Sequence, residues 1–161
     1  MKKFLLRLLG AFVLLNVAVI VGALVARKRL PIYGDADSDE FALVAAMDGV
    51  DFASKAEALR EGSGTAVAGG MEIDLTEAHL AESAVLDLTA IMGGIDVVVP
   101  PEWRVEMSSN VFMGGTDNLT DPDATADDAP LLLIDARAYM GGVAVRAKKA
   151  KADQEILSAA E

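Results

Sequence analysis

The chain of 161 residues contains no cysteine and a single histidine, His79. Without cysteine there is no disulfide framework, no thiolate chemistry and no cysteine-based metal site. A zinc site built from histidine and cysteine is therefore excluded, and a histidine-based triad has one candidate base. Because His79 lies in a polar, turn-like stretch, we expect an exposed turn residue. The sequence predicts no catalytic residue, no cofactor and no metal site.

Negative charge is missing from the first part of the chain. No acidic residue precedes residue 30, where six of the 14 basic residues lie, and all 25 acidic residues follow it. Residues 30–161 hold eight basic and 25 acidic residues, a formal charge of −17. A segment this acidic repels nucleic acid phosphates and anionic lipid headgroups. We therefore expect no nucleic acid partner.

One long hydrophobic run stands at the N-terminus. Residues 8–25 are apolar except for Asn16, which is close to the roughly 20 residues that span a hydrocarbon core. The pattern predicts a transmembrane anchor over residues 1–29, in contact with the membrane over residues 4–26, and hence a single-pass protein of the cell membrane.

A cleaved signal peptide, with residues 21–23 as cleavage site, is the alternative interpretation of this run. The run is longer than the roughly 7–15 apolar residues of a signal peptide, and the basic residues 27–29 follow closely, which favours the anchor. Basic residues flank both ends in nearly equal number, so the side of the membrane on which the rest of the chain lies stays open.

A short phrase of strand, glycine pair and strand occurs five times after residue 40, with Asp48-Gly49 in place of the glycine pair in the first copy. The copies cover residues 44–52, 65–73, 89–97, 110–117 and 137–145, and their second glycines are 21, 24, 21 and 27 residues apart. A recurrence of 20 to 50 residues is typical of a stacked, solenoid architecture. The predicted structural turn glycines are Gly49, Gly69, Gly70, Gly93, Gly94, Gly114, Gly115, Gly141 and Gly142.

Hydrophobic residues alternate on both sides of each pair, as in Ile95, Val97 and Val99. Short alternating runs separated by turn residues indicate strands. We therefore predict an all-β fold, a short β-solenoid of about five strand–Gly-Gly–strand rungs over residues 41–147, preceded by one N-terminal transmembrane helix. Residues 30–40 are predicted to be a linker and residues 148–161 a charged tail. Residues 53–63 are expected to form a connecting turn with one helical turn.

Stacked copies align their side chains in columns. The residues directly before the glycine pairs and the residues directly after them form two columns that we expect to point inward. The first column is rich in methionine, which we interpret as core filling rather than as a pliable binding groove. The column two residues after each pair is acidic; we expect a solvated outer face, and a cation-binding ladder stays open. The three columns are Met47, Ala68, Met92, Met113 and Met140; Val50, Met71, Ile95, Thr116 and Val143; and Asp51, Glu72, Asp96, Asp117 and Ala144.

The longest gap between copies contains the acidic residues 116–128. It superficially resembles a calcium loop, but it lacks the order Asp-x-Asp-x-Asp-Gly with glutamate at the twelfth position. We expect a solvated excursion between rungs.

Two segments resemble a known bacterial family. Residues 90–105 read AIMGGIDVVVPPEWRV and residues 71–78 read MEIDLTEA. They resemble the C-terminal domain of the LiaF-like, cell-wall-active antibiotics response proteins, over about residues 41–147. The family favours phenylalanine before the glycines and often has several membrane helices, whereas this chain has methionine or alanine there and one predicted helix. The resemblance implies a membrane-linked β-solenoid without catalysis, which tunes a sensor kinase or binds other envelope proteins.

These features favour a non-catalytic, membrane-anchored interaction or regulatory module, and the resemblance implies a role in the envelope stress response. The alternative is a self-associating, bactofilin-like scaffold, a homo-oligomer built through the unpaired edges of its end rungs. An enzyme such as a β-helix polysaccharide lyase or hydrolase would need a long groove with clustered carboxylates and basic residues. Five short rungs without a nucleophile–base pair do not supply one.

Overall fold

The fold was described from a computed structural model that covers residues 2–121, 126 and 128–148. About 55% of the chain is strand, arranged in two parallel sheets of five strands, and one apolar helix precedes them. The prediction of a short all-β solenoid is confirmed. The elements are α1 Lys2–Arg29, β1 Glu40–Ala46, β2 Gly49–Ala53, β3 Leu59–Val67, β4 Gly70–Asp74, β5 Leu80–Ile91, β6 Gly94–Val99, β7 Arg104–Phe112, β8 Gly115–Leu119, β9 Leu131–Tyr139 and β10 Gly142–Ala147.

Each copy of the repeat forms one rung, which gives one strand to each sheet. Rungs 1 to 5 are the pairs β1–β2, β3–β4, β5–β6, β7–β8 and β9–β10, numbered along the chain. Sheet A has the order β1-β3-β5-β9-β7, and sheet B has the order β2-β4-β6-β10-β8. The two sheets therefore stack their rungs identically.

The stacking order departs from the chain order at its end. Rung 5 lies between rungs 3 and 4, because β9 pairs with β5 on one side and with β7 on the other. The register is continuous across this insertion: Ala138 is opposite Ala90 in β5 and opposite Val111 in β7. Rung 4, not the C-terminal rung, therefore ends the stack.

The core lies between the two sheets and is filled from both. Leu86 and Leu88 of sheet A and Ile73 and Val97 of sheet B are fully buried. Burial of a side chain of this size contributes about 1.5–3 kcal/mol relative to exposure. Gly62 faces the same core, where an added Cβ would lie 2.5 Å from a Leu86 methyl carbon.

Rung 4 has a polar interior, unlike the other rungs. Its inward positions in β8 carry Thr116 and Asn118, where β10 carries the buried Val143 and Val145. The Asn118 side-chain amide donates to the Val105 carbonyl in sheet A at 3.3 Å and so joins the two sheets at the end of the stack. Atypical, polar terminal repeats are how solenoids close a hydrophobic core.

Residues 30–40 close the other end of the stack. Tyr33 and Ala42 exchange backbone hydrogen bonds of 3.1 and 2.8 Å across the free edge of β1. The Ala36 carbonyl accepts from the Lys55 amide at 2.6 Å, and the Asp39 carbonyl accepts from Arg60 at 2.9 Å. The predicted linker therefore lies against rung 1 and pairs with part of its edge.

The helical turn predicted within residues 53–63 is wrong. β2 ends at Ala53, β3 begins at Leu59, and the residues between them form a bend without helix. Lys55 of this bend pairs with Glu77 at 2.9 Å, and this hydrogen bond raises the pKa of Lys55. Lys55 thus joins two neighbouring connections at the surface, and Arg60 and Glu61 belong to β3.

The apolar helix α1 is long and apolar enough to cross a membrane over Arg7–Val25, where the mean hydropathy is 2.7. Only 6% of this segment is buried within the protein. The buried part includes Ala23, which is 1% exposed. Next to it, Ala18, Val19 and Gly22 line a small cavity whose other wall is formed by sheet A residues, Thr65, Val67 and Ile91.

Candidate functional site

The bend in each rung contains a residue other than glycine whose backbone is in the left-handed conformation. The residue before each glycine pair has a positive φ: Met47 (62°), Ala68 (51°), Met92 (54°), Met113 (56°) and Met140 (57°). This conformation costs an L-residue roughly 1–2 kcal/mol, because its Cβ approaches the following carbonyl oxygen. Five aligned residues of this kind mark the bend as a built feature of every rung.

The first glycine of each pair is required by the neighbouring rung. A Cβ added at Gly93 would lie 2.2 Å from the Gly69 carbonyl oxygen, and Gly141 meets Gly93 at the same distance. Only rung 1 has another residue, Asp48, in place of the first glycine. Rung 1 ends the stack on the side to which the added Cβ atoms of the other rungs point. The Asp48 carboxylate instead accepts a hydrogen bond from the Ala46 amide at 2.8 Å.

The second glycine of each pair has no such requirement. Added Cβ atoms at Gly49, Gly70, Gly94 and Gly115 would meet nothing within 4 Å, and Gly142 would make only an ordinary contact at 3.4 Å. None of the five has a positive φ. Together they leave a smooth, backbone-lined strip, the glycine floor, in an open groove of about 690 Å³ on sheet B.

The acidic column borders the glycine floor on the outer face of sheet B. In stacking order it reads Asp51, Glu72, Asp96, Ala144 and Asp117. As predicted, these carboxylates lie outward; three are exposed and Asp96 is half-buried.

Arg146 partly neutralises the column. Its guanidinium lies 2.7 Å from one Asp96 carboxylate oxygen and 3.7 Å from Glu72. The other Asp96 oxygen, Oδ1, is buried and accepts no hydrogen bond from the described residues. Such partly exposed pairs contribute only about 0.2–1 kcal/mol. Within the part of the chain that the structure describes, no group of three or more His, Asp or Glu side chains is placed to hold a metal ion.

The prediction that the methionine column fills the core is wrong. Met47, Met92, Met113 and Met140 are 54%, 37%, 70% and 46% exposed. An alternating pattern assumes an extended backbone, and the left-handed φ at this position interrupts the alternation. The inward column one residue after each pair does face the core, with Met71, Ile95 and Val143 buried and Val50 and Thr116 half-buried at the two end rungs.

A second apolar column lies beside the methionines. The last residues of the sheet A strands are in register across the stack and are all apolar: Ala46, Val67, Ile91, Tyr139 and Phe112. We name the exposed part of the two columns over rungs 3, 5 and 4 the apolar corner. Its members are Ile91 (37% exposed), Met92, Tyr139 (40%), Met140, Phe112 (63%) and Met113.

The apolar corner has polar borders on both sides. The next outward row of sheet A aligns Thr89, Arg137 and Asn110. Arg137 pairs with Asp87 at 2.8 Å and with Asp135 at 2.9 Å, and Asp87 is the main reason that the pKa of Arg137 is raised. On the other side lie the glycine floor and the acidic column. The corner is thus a hydrophobic strip between polar borders, and at Ile91 it adjoins the cavity beside α1.

The apolar corner was missed in the sequence, although a signal for it was there. The residue two positions before each glycine pair is apolar in every copy, and this regularity is the signal. His79 is exposed, as expected. Residues 122–125 and 127 of the acidic gap and residues 149–161 of the predicted tail lie outside the described residues.

Comparisons with known proteins do not add to these observations. No protein-family model matches the chain, and searches of curated proteins and of solved structures likewise return no match.

Proposed function

We propose that this chain is a non-catalytic, membrane-anchored interaction module whose apolar corner binds another envelope or membrane protein. The observation that carries the proposal is the corner itself, six large apolar side chains exposed in one strip. Contiguous apolar patches with polar borders typically mark interaction sites. Methionines suit such a surface, because their flexible thioethers adapt to differently shaped partners.

The anchor in this proposal is α1, acting as a single-pass span in the cell membrane. Ala18, Val19 and Gly22, which face sheet A, lie within the Arg7–Val25 span. Insertion into a bilayer would separate these turns from the sheet. Val67, which is now only 6% exposed, would then extend the apolar corner to rung 2.

The resemblance to LiaF-like proteins supports a regulatory role in the envelope stress response. A sensor kinase is the partner that this resemblance implies. The high negative charge of residues 30–161 disfavours anionic lipid headgroups as the ligand of the corner.

A pair of matched variants tests the role of the corner. Tyr139 and Leu133 both lie on the outer face of β9 and are 40% and 37% exposed, but only Tyr139 belongs to the corner. In the native host, we expect Tyr139→Asp to abolish the effect of the protein on an envelope-stress reporter during antibiotic challenge. We expect Leu133→Asp to leave the effect intact. Equal effects of the two variants would contradict the proposal.

The topology of the anchor needs its own measurement. An introduced Asp37→Cys is the only thiol in the chain, since native cysteine is absent. Labelling in intact cells would place the solenoid outside the cytoplasm, and labelling only after permeabilisation would place it inside. Extraction of the intact chain from membranes at alkaline pH would contradict anchoring itself.

The scaffold alternative receives less support from the fold. Residues 30–40 pair with the edge of β1, so end-to-end growth through both ends of the stack is obstructed. Sedimentation of the full chain in detergent decides between the two: concentration-dependent polymers would favour the scaffold.

A further inference from the structure

One polar residue interrupts the candidate membrane span. The span Arg7–Val25 contains 19 residues, and Asn16 is the tenth of them, at the midpoint. In an inserted helix this amide would lie at the centre of the hydrocarbon, where water cannot satisfy it. Polar side chains at this depth hydrogen-bond to neighbouring helices or to backbone groups.

The hydrogen bonds of Asn16 within its own helix are incomplete. The side-chain Nδ2 donates to the Phe12 carbonyl at 2.8 Å. The Oδ1 acceptor has no partner among the described residues, and a second amide proton is unused. A buried amide group without a partner carries a desolvation cost, so Asn16 favours a second helix that offers both a donor and an acceptor.

Much of the helix face around Asn16 is exposed. Helical periodicity places Leu9, Val13, Ile20 and Leu24 next to Asn16, and their side chains are 59%, 52%, 42% and 56% exposed. Ala18 and Gly22, which line the cavity with sheet A, lie on another side of the helix. Val19 and the buried Ala23, three and seven residues after Asn16, border its face and leave sheet A when the span inserts. The positions 9, 13, 16 and 20 follow the alternating four- and three-residue spacing of a coiled-coil seam.

We propose that this face binds the same face of a second copy of the chain, so that α1 forms a parallel pair with Asn16 opposite Asn16. Two copies insert in the same direction, and they therefore place Asn16 at the same depth without further adjustment. Each amide is both donor and acceptor, so a symmetric pair satisfies the groups that one helix leaves open. A single polar residue in a seam also fixes register. The inference rests on the proposed membrane anchoring of α1.

Disulfide formation between introduced cysteines tests the geometry. The full chain, reconstituted in phosphatidylcholine vesicles, carries either Ile20→Cys on the Asn16 face or Ala18→Cys on the face towards the solenoid. We expect mild oxidation to link Ile20→Cys into dimers and to leave Ala18→Cys monomeric. Equal linking at both positions would overturn the proposed interface.

Substitution of Asn16 tests whether its amide causes the self-association. In energy-transfer measurements between labelled copies in the same vesicles, we expect Asn16→Leu to weaken self-association by roughly 3- to 30-fold, the range implied by interhelical hydrogen bonds in membranes. Asn16→Gln, which keeps both hydrogen-bonding groups, should retain most of the association. Unchanged association of Asn16→Leu, or a monomeric parent chain, would overturn the inference.

Alkaline extraction of the same vesicles separates this inference from the proposed function. A chain that resists extraction but stays monomeric contradicts the helix pair alone. A chain that is extracted contradicts the membrane anchor, and the helix pair falls with it.

Discussion

The two glycines of each pair have different physical roles, although they are adjacent and identical. The first glycine lies under the carbonyl oxygen of the neighbouring rung, whereas the second faces open space. A required glycine and a permitted glycine cannot be told apart in the sequence, because both occur in every full copy of the phrase. The geometry of the stack separates them.

Alanine substitutions at one pair should expose this difference. A Cβ at Gly93 would lie 2.2 Å from the Gly69 carbonyl oxygen, so we expect Gly93→Ala to lower the free energy of unfolding by about 2 kcal/mol or more, as for other backbone clashes. Gly94→Ala has ordinary φ and free space, and we expect a change within about 1 kcal/mol, in the stabilising direction.

Urea denaturation of the full chain in detergent measures both effects. Gly69→Ala and Gly70→Ala in rung 2 form an independent pair with the same geometry. If the two alanines at one bend destabilised the protein equally, the assigned roles of the glycines would be wrong.

The strands and the bends could be predicted from the sequence, but the position of the methionines could not. Ile95 and Val97 alternate in an extended strand, so their inward direction follows from a period of two. Met92 precedes them in a left-handed conformation, which no alternation reveals.

At the scale of the element, the order of the rungs was the least predictable property. Parallel strands of similar sequence offer the same hydrogen-bonding edges, so pairing alone does not select the neighbour of β5. The polar Thr116 and Asn118 are the residues that distinguish rung 4, since an interior rung would bury them between apolar layers. The sequence showed Thr116 among apolar residues in the inward column, and this was the available sign of a terminal rung.

Removal of rung 4 should therefore leave a folded stack. The Arg104 amide donates to the Pro130 carbonyl at 2.9 Å, so Trp103 and Leu131 can be joined with little movement when residues 104–130 are deleted. We expect this chain to fold with rungs 1, 2, 3 and 5 and to melt at a lower temperature. Circular dichroism and amide hydrogen exchange measure the outcome.

A chain that ends at residue 130 is the matched control. It loses β9 and β10, the strands with which β7 and β8 pair. We expect the amides of residues 104–119 to exchange freely in this chain, while those of β3 stay protected. Protection of β7 in the truncated chain would show that rung 4 can stack directly on rung 3.

At the scale of the whole molecule, charge opposes the compact state. Residues 30–161 carry a formal charge of −17, and Asp51, Glu72 and Asp117 lie on the same outer face as Asp96. Salt at 0.15 M screens exposed charges beyond about 8 Å. Self-repulsion of this kind weakens as ionic strength rises.

We therefore expect the melting temperature of the full chain in a zwitterionic detergent to rise by a few degrees between about 10 mM and 300 mM NaCl. The triple variant Asp51→Asn, Glu72→Gln, Asp117→Asn should have a smaller salt dependence, because it removes three charges of the column. A parent chain whose melting temperature falls with salt would contradict this account.

The position of rung 5 also determines how the solenoid can be assembled. Residues 104–112 leave the ribosome before residues 131–139, at a time when the edge of β5 is still unpaired. In the folded protein, β9 pairs with this edge of β5. The stack therefore cannot grow by simple addition of each new rung to the last: rung 4 can pair only after rung 5, its neighbour in the stack, is in place.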